Sequence, residues 1–382
     1  MPITRDRCWY RCCPCGNGSD DLHPATVCEQ VVLASLVSRL RCAVCLDLDA
    51  SLHLVAFQQG RDGHVDAGVL TCHACSAWFP IQHGLLELVS PDLLDVDALS
   101  RLERQFPSEI AAAAAARAAT PVSPSEDTPQ MKQRRHFDWF ASDTKQNYDD
   151  YQRSAFWRAV DAATFRRWTQ RVKSQSWVLD VGCANGRSAW PFAETGATLA
   201  GCDISRRLIA QAIDHAKRRG VHANTTFLVA DADRLPFATD AFDFVITYGA
   251  LHHLPNPART SRDIQRVVKV GGVHFGSENN KSAFRRLFDL LMKFKPLWIE
   301  EAGEEPLISA GMLRQWLAGM PATLQVATHV FVPPHLINLL PAGWGVTVLN
   351  ATDMIGSWLP FVRNNGGLVV FEVSKMAAYG GR

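Results

Sequence analysis

Between residues 177 and 279 the chain alternates short apolar runs with segments of helical spacing, and this alternation restricts the fold more than any other feature. WVLDVG reads as a short strand ending in glycine. TLAGCDIS, FLVADAD, FDFVITYG and VVKVGGVHFGSE supply four more, the last turning on Gly271 and Gly272. Ser205 stands where a hydroxyl caps the helix RLIAQAIDHAKRR, whose cationic end suits the C-terminal dipole. Strand, helix, strand, repeated, buries both strand faces only as a parallel sheet with helices on each side. The expected fold is α/β, with a doubly wound, mostly parallel sheet.

LDVGCANGR closes the first of these strands. Gly182 and Gly186 let the backbone bend sharply and approach a ligand that a Cβ would push away, and the helix that follows aims free N–H groups at the same place. A dinucleotide fingerprint needs three glycines. The matching positions here are Gly182, Ala184 and Arg187, which argues against a nicotinamide dinucleotide. Asp203 closes the second strand, 23 residues after Asp180, where a carboxylate suits both hydroxyls of a ribose, and Asp231-Ala232-Asp233 closes the third. Read blandly, Asp203 is a helix cap and Asp231 a solvated turn.

From about Val178 to Glu278 this series resembles the class I S-adenosylmethionine-dependent methyltransferases, in particular the branch with ubiquinone and menaquinone C-methyltransferases. The resemblance implies a seven-stranded Rossmann-like sheet and S-adenosyl-L-methionine as cofactor. It places Asp180, Gly182, Cys183, Ala184 and Gly186 around the methionine part and ribose, Asp203 with Ile204 at the ribose, and Asp231 with Ala232 at the adenine edge. Tyr248 joins the expected cofactor set. The sulfonium carries its own leaving group, so the protein must align a nucleophile and exclude water, and a general base helps a hydroxyl or acidic carbon. His253 and Glu278 are the candidate catalytic residues; a hydrogen-bonded structural histidine is the competing reading of His253. Tyr148, Tyr151 and Trp157 lid the cofactor or pack in the core. Past Glu278, Phe284, Leu287, Leu291 and Trp298 line an apolar acceptor site or belong to the core. The apolar stretch 330–349 is broken by Pro333, Pro334, Pro341 and Gly343, and reads as a core or pocket-lining loop in preference to a membrane contact.

Nine of the 11 cysteines fall within the first 75 residues. Cys42-x-x-Cys45 and Cys72-x-x-Cys75 form two knuckles whose four thiolates complete a closed tetrahedral site, which is structural zinc in preference to free thiols or redox chemistry. The metal replaces the core that so short a segment cannot build. LRCAVC with LTCHACSAWFPIQHGLLEL resembles the small zinc-binding activator family of methyltransferases, through the four cysteines, Phe79-Pro80-Ile81 and Gly84. It departs from that family at Ala43, where proline is common. Cys8, Cys12, Cys13, Cys15 and Cys28 stay open between a second metal site and an unstructured extension.

The expected organisation is a disordered Cys-rich extension (1–30), a β-rich, zinc-ribbon-like activator unit (31–90), a linker (91–135), the cofactor-binding core (136–280) and an acceptor-site insertion with the final strands (281–382). A charge of +1 gives no global field for a polyanion, and the one dense basic cluster, Lys132, Arg134 and Arg135, is short. A nucleic-acid partner is therefore disfavoured. The charged N-terminus lacks an apolar leader and no long apolar run appears, so the expected location is the cytoplasm. The function read is methyl transfer to a small-molecule, lipid-linked or sugar acceptor. An RNA methyltransferase with a built-in activator, or a non-catalytic cofactor-binding scaffold, are the alternatives. The oligomeric state is not legible.

Overall fold

A computed structural model describes residues 35–47, 50–60, 65–113, 128–142, 153–294, 306–341 and 343–377. Cys8, Cys12, Cys13, Cys15, Cys28, Tyr148, Tyr151 and Trp298 lie outside these residues.

The parallel centre of the sheet consists of β5 (Trp177–Val181), β6 (Thr198–Asp203), β7 (Thr225–Val229), β8 (Phe242–Tyr248) and β9 (Val268–Asn279), in the order β7-β6-β5-β8-β9. Beyond β9, β11 (Leu368–Lys375) inserts antiparallel between β9 and β10 (Ala322–His329). These are the seven strands expected. Alternate residues of β5 enter opposite cores, Leu179 and Val181 on one face and Val178 on the other, as a strand covered on both sides requires. On the Val178 face Trp168 stacks on Phe275 at 5.3 Å.

The sheet does not stop there. Four more strands, β1 (Leu52–Gln59), β2 (Val65–Cys72), β3 (Trp78–Gln82) and β4 (Leu85–Glu87), form an antiparallel meander. Its last strand joins β7 in parallel, with Leu86 opposite Leu228 and Glu87 opposite Val229, giving one sheet of 11 strands. A second seam runs from Leu40, which bridges to Phe237, while Arg41 N donates to Pro236 O at 3.0 Å. The Arg39 guanidinium lies over Trp177 at 4.1 Å. The cysteine-bearing unit thus shares a core with the central sheet.

The stretch read as a linker contains helices α1 (Val96–Gln105) and α2 (Pro107–Ala113) and the start of α3 (Pro129–Ser142). Arg134, Phe137 and Phe140, three residues apart, are the buried side of α3. Helix α4 (Ala155–Thr169) precedes β5, α5 is the short turn Trp190–Ala193, and α6 (Arg206–Arg219) follows β6. Ser205 caps α6, its Oγ accepting from Leu208 N at 3.2 Å. Helix α7 (Pro257–Val267) precedes β9, α8 (Ala283–Phe294) follows it, and α9 (Ala310–Trp316) leads into β10. The stretch 330–349, expected as a loop, contains α10 (Pro334–Ile337) and the first turns of α11 (Trp344–Trp358). Pro334 sits at the first turn of α10, where its missing N–H costs nothing, and Gly343 precedes α11 with φ +90°. These residues start helices here.

Glu87 ties the two parts together. Its carboxylate is buried and accepts from Arg206 Nε at 2.8 Å and Arg134 Nη2 at 3.3 Å, joining β4 to the first turn of α6 and to α3. Removing it takes a buried charged partner from each guanidinium, leaving Arg134 to Leu93 O and Asp138 and Arg206 to Gln82 and Asp95. Glu87→Ala should lower stability by about 3–5 kcal/mol, and Glu87→Gln by less, in urea unfolding.

Candidate functional site

The site lies at the carboxyl edge of β5, β6, β7 and β8. After β5 the chain bends through Gly182 (φ +71°), Ala184 (φ +46°) and Gly186 (φ +94°). A Cβ on Gly182 would lie 2.6 Å from Ala250 Cβ, and one on Gly186 2.1 Å from the Trp190 ring, so both positions need glycine for space as well as for φ. Ala184 occupies the second-glycine position of the fingerprint and keeps its left-handed backbone, a strain of order 1–2 kcal/mol. The anchor is Asp203, whose Oδ2 accepts from Ala184 N at 3.0 Å and whose Oδ1 accepts from Ser205 N at 2.9 Å.

A narrow cleft opens above this bend. Of the predicted cofactor residues, Gly182, Asp203, Ile204, Asp231 and Ala232 line it. Asp231 closes β7 and caps the turn that follows, its Oδ1 accepting from Asp233 N at 2.9 Å. Asp180 is fully buried beneath the bend. Its Oδ2 accepts from Ser188 Oγ at 2.6 Å, and its Oδ1 has no hydrogen-bond partner among the described residues. Cys183 and Gly186 shape the bend from behind, and the Cys183 thiol is turned into the core. Tyr248, expected at the cofactor, does not line the cleft. Its hydroxyl donates to Asp161 Oδ1 at 2.7 Å and its ring packs on Phe165 at 4.8 Å. Burial, with Asp161 beside it, raises the phenol's pKa and keeps that proton in place.

Glu278 is likewise displaced from its expected role as a base. It is buried at the end of β9, where Oε1 accepts from Ala250 N and Leu251 N at 3.1 and 2.9 Å and Oε2 meets His252 Nδ1 at 2.6 Å. These contacts occupy both oxygens and hold the 250–252 turn against Gly182; Glu278 positions the cleft wall. His253 does line the cleft, with Phe137 edge-on to its ring at 5.3 Å. Sequence reading missed Gln133, Phe137, Gly249, Ala250 and Leu254 as lining residues. The three-residue spacing of Arg134, Phe137 and Phe140 was the available signal for α3.

A smaller, shallow hollow lies at the same edge of the sheet, beyond β9. Phe156, Trp157, Phe288, Val330, Pro334 and Leu368 wall it, and Asn279, Arg285 and Asp289 add polar groups. It adjoins the bend through Trp157, whose ring carries the Arg187 guanidinium at 5.0 Å. Arg187 in turn makes two bonds to Asp161, at 2.9 and 2.7 Å. Phe284 packs edge-on against Phe331 at 6.1 Å, and Leu287 is 44% exposed.

At the far end of the chain's first unit, the sulfurs of Cys42, Cys45, Cys72 and Cys75 all lie within 4.8 Å of one another. Cys42 Sγ is 3.6 Å from Cys75 Sγ, and Cys45 Sγ is 3.8 Å from Cys72 Sγ. A tetrahedron with metal–sulfur bonds of about 2.3 Å has edges of about 3.8 Å, so the donor set fits Zn²⁺. Ser76 (φ +58°) and Leu46 (φ +54°) turn the backbone just after each knuckle.

Residues 179–276 match the profile of a family described as a methyltransferase domain. Methyltransferase GfsG of Streptomyces halstedii is 38% identical over 96 residues, covering 25% of this chain and 34% of that protein. The ubiquinone biosynthesis O-methyltransferase of Agrobacterium fabrum is 26% identical over 148 residues, covering 35% of this chain and 58% of that protein. The chain thus spans about a third to somewhat over half the length of these relatives. Among solved structures, a complex of the Haloferax volcanii Trm112 methyltransferase activator with a protein described as a methyltransferase aligns with TM-score 0.45 and 16% identity, over 65% of this chain and 99% of that one. The chain carries a class I S-adenosylmethionine-dependent methyltransferase domain.

Burial lifts the Asp180 carboxyl from 3.8 to about 7, with Asp203 adding to the rise. The folded chain then holds a proton that the unfolded chain releases between about pH 4 and 7, so stability falls as pH rises through that window. Asp180→Asn, similar in shape and always neutral, should remove the Asp180 share of this fall and leave that of Asp203 and Asp231, both raised to about 6. Without cofactor its melting temperature should exceed that of the parent at about pH 8 and match it near pH 4.

Proposed function

We propose that the protein transfers the methyl group of S-adenosylmethionine to a small apolar or lipid-linked acceptor, with a zinc-holding unit built into the same chain. The observation that carries this reading is the pair of carboxylates, Asp203 and Asp231, at neighbouring strand tips on one cleft beside Gly182. Asp203 spends one acceptor position per oxygen on backbone N–H groups, and a carboxylate offers about four, so it retains capacity for two ribose hydroxyls. Ile204, Leu254 and Phe137 give apolar walls to a flat base. When bound, the cofactor supplies a methyl group activated by a sulfonium.

The chain's own residues hold and orient. Asp203 keeps the strained Ala184 in place and would accept from the ribose, and Glu278 holds the 250–252 turn. His253, at the cleft beside Phe137, is placed to take a proton from an acceptor hydroxyl or acidic carbon. The hollow of Phe156, Trp157 and Phe288 suits an apolar acceptor, with Arg285 and Asp289 for a polar end. An RNA acceptor gains little from the Lys132-Arg134-Arg135 cluster, because Arg134 is buried on Glu87. Zinc, held by Cys42, Cys45, Cys72 and Cys75, would brace the meander, and β4 passes that bracing to α3 and α6. The unit acts in cis, at an effective concentration that a separate subunit would lack.

Calorimetric titration tests the cofactor assignment. Asp203→Ala should weaken S-adenosylmethionine binding by about 100-fold while unfolding stays cooperative; unchanged affinity refutes the ribose assignment. The Asp203 carboxyl is raised to about 6, first by burial, and accepts more strongly from two hydroxyls when ionised, so affinity for the parent should rise as pH passes through that value. Elemental analysis should find about one zinc per chain, and Cys42→Ser with Cys72→Ser should lose it. Metal-free protein with freely alkylated thiols at these positions would end the zinc reading.

A further inference from the structure

We propose that the face formed by α11 with its neighbours α10 and α8 docks on an anionic lipid surface, a property that lies outside the methyl-transfer reading. Helix α11 is apolar nearly all round and carries a single charged residue, Asp353. A helix of that composition is ordinarily buried on every side. This one is buried on one side only. Its inner side is pinned to the core: Leu349 is 1% exposed, and a Cβ on Gly356 would meet the Phe331 ring at 2.5 Å. Asp353 also points inward, accepting from Val330 N at 2.8 Å and meeting His329 Nδ1 at 3.0 Å.

The outer side is a stripe of Trp344, Met354, Ile355 and Trp358, exposed by 60%, 68%, 58% and 86%. The two tryptophans are 14 residues apart, about 21 Å along the axis. Phe361, 94% exposed, extends the stripe beyond the helix; Leu336 of α10 and Leu339 just after it are exposed as well. Across Phe331, α8 adds Leu287 and Leu290. Each large aromatic ring hides about 150–250 Å² when buried, so the patch exceeds the few hundred Å² usual on a monomer surface.

Charge selects the occupant. Among the described residues of these helices and the turn after α11, the carboxylates are engaged, Asp289 by Arg285 at 2.6 Å and Asp353 as above. The exposed charges are Arg286, Lys293 and Arg363, all cationic. Apolar rings that enter an interface, ringed by cations, complement an anionic bilayer surface. No helix among the described residues is long and apolar enough to cross a membrane, so α11 would lie in the surface plane. The aromatic hollow shares Phe288 and Pro334 with these helices, which would open it toward the lipid.

Cosedimentation of the full chain with vesicles tests this. It should pellet with phosphatidylcholine–phosphatidylglycerol vesicles, and less so with phosphatidylcholine alone or in high salt. The double variant Trp358→Ser, Phe361→Ser should bind at least about tenfold more weakly. Lys293→Glu with Arg363→Glu should erase the preference for anionic vesicles. All variants should keep the parent's S-adenosylmethionine affinity, so this test and the cofactor test fail separately. Absence of binding to anionic vesicles, or equal binding by the ring variants, overturns the proposal. So does a dimer in ultracentrifugation that the ring variants dissociate while the parent ignores vesicles, which would assign the face to a second copy.

Discussion

The parallel pairing of β4 with β7 is the contact on which the rest of the molecule leans. Without it β7 would present an open edge, a row of unpaired N–H and C=O groups. Three residues suffice to close it, because Leu88 N also donates to Val229 O at 2.9 Å and the seam continues through Arg39–Arg41 along residues 236–238. The pairing brings Glu87 beneath the first turn of α6. From there one carboxylate orients Arg206, three residues past Asp203, and Arg134, three residues before Phe137. Two walls of the cleft are therefore set from a strand that belongs to the cysteine-bearing unit. A change in the packing of the meander reaches the cleft through two salt bridges.

The cleft itself is an electrostatically crowded place. Asp180, Asp203 and Asp231 all have carboxyls raised by burial, to about 7, 6 and 6, and the charges of Asp203 and Asp180 lift neighbouring groups further. The chain tolerates this because Ser188, Ala184, Ser205 and Asp233 each donate a hydrogen bond. A ligand that brings positive charge and hydroxyl donors would ease the repulsion and replace lost solvation, so the cleft suits such a molecule at some cost to the fold.

Much of this was legible in the sequence, and the division follows range along the chain. The strand and helix alternation, the Ser205 cap, the glycine bend and the paired knuckles depend on residues a few positions apart, and each left a local pattern. The β4–β7 pairing joins residues some 140 positions apart through a three-residue strand, Leu85, Leu86 and Glu87, that carries no pattern of its own. Helix α3 was hidden because a Pro-rich segment before it suggested a linker, although its buried spacing was present. Glu278 and Tyr248 were placed in the site by position alone. Their partners, the 250–252 turn and Asp161, come from other elements, and it is these partners that give one a positioning role and turn the other away. In the 330–349 stretch the prolines were read as breaks, whereas Pro334 opens a helix.

The position of β11 has a consequence for how the molecule is made. This strand is the last of the sheet in chain order, yet it fills the gap between β9 and β10, with Val369 opposite Glu278. The carboxylate that steadies the cleft wall is thus seated by a strand synthesised about 90 residues later. During translation the loops that line the cleft emerge early and must wait, incompletely braced, until that strand has left the ribosome and threaded home.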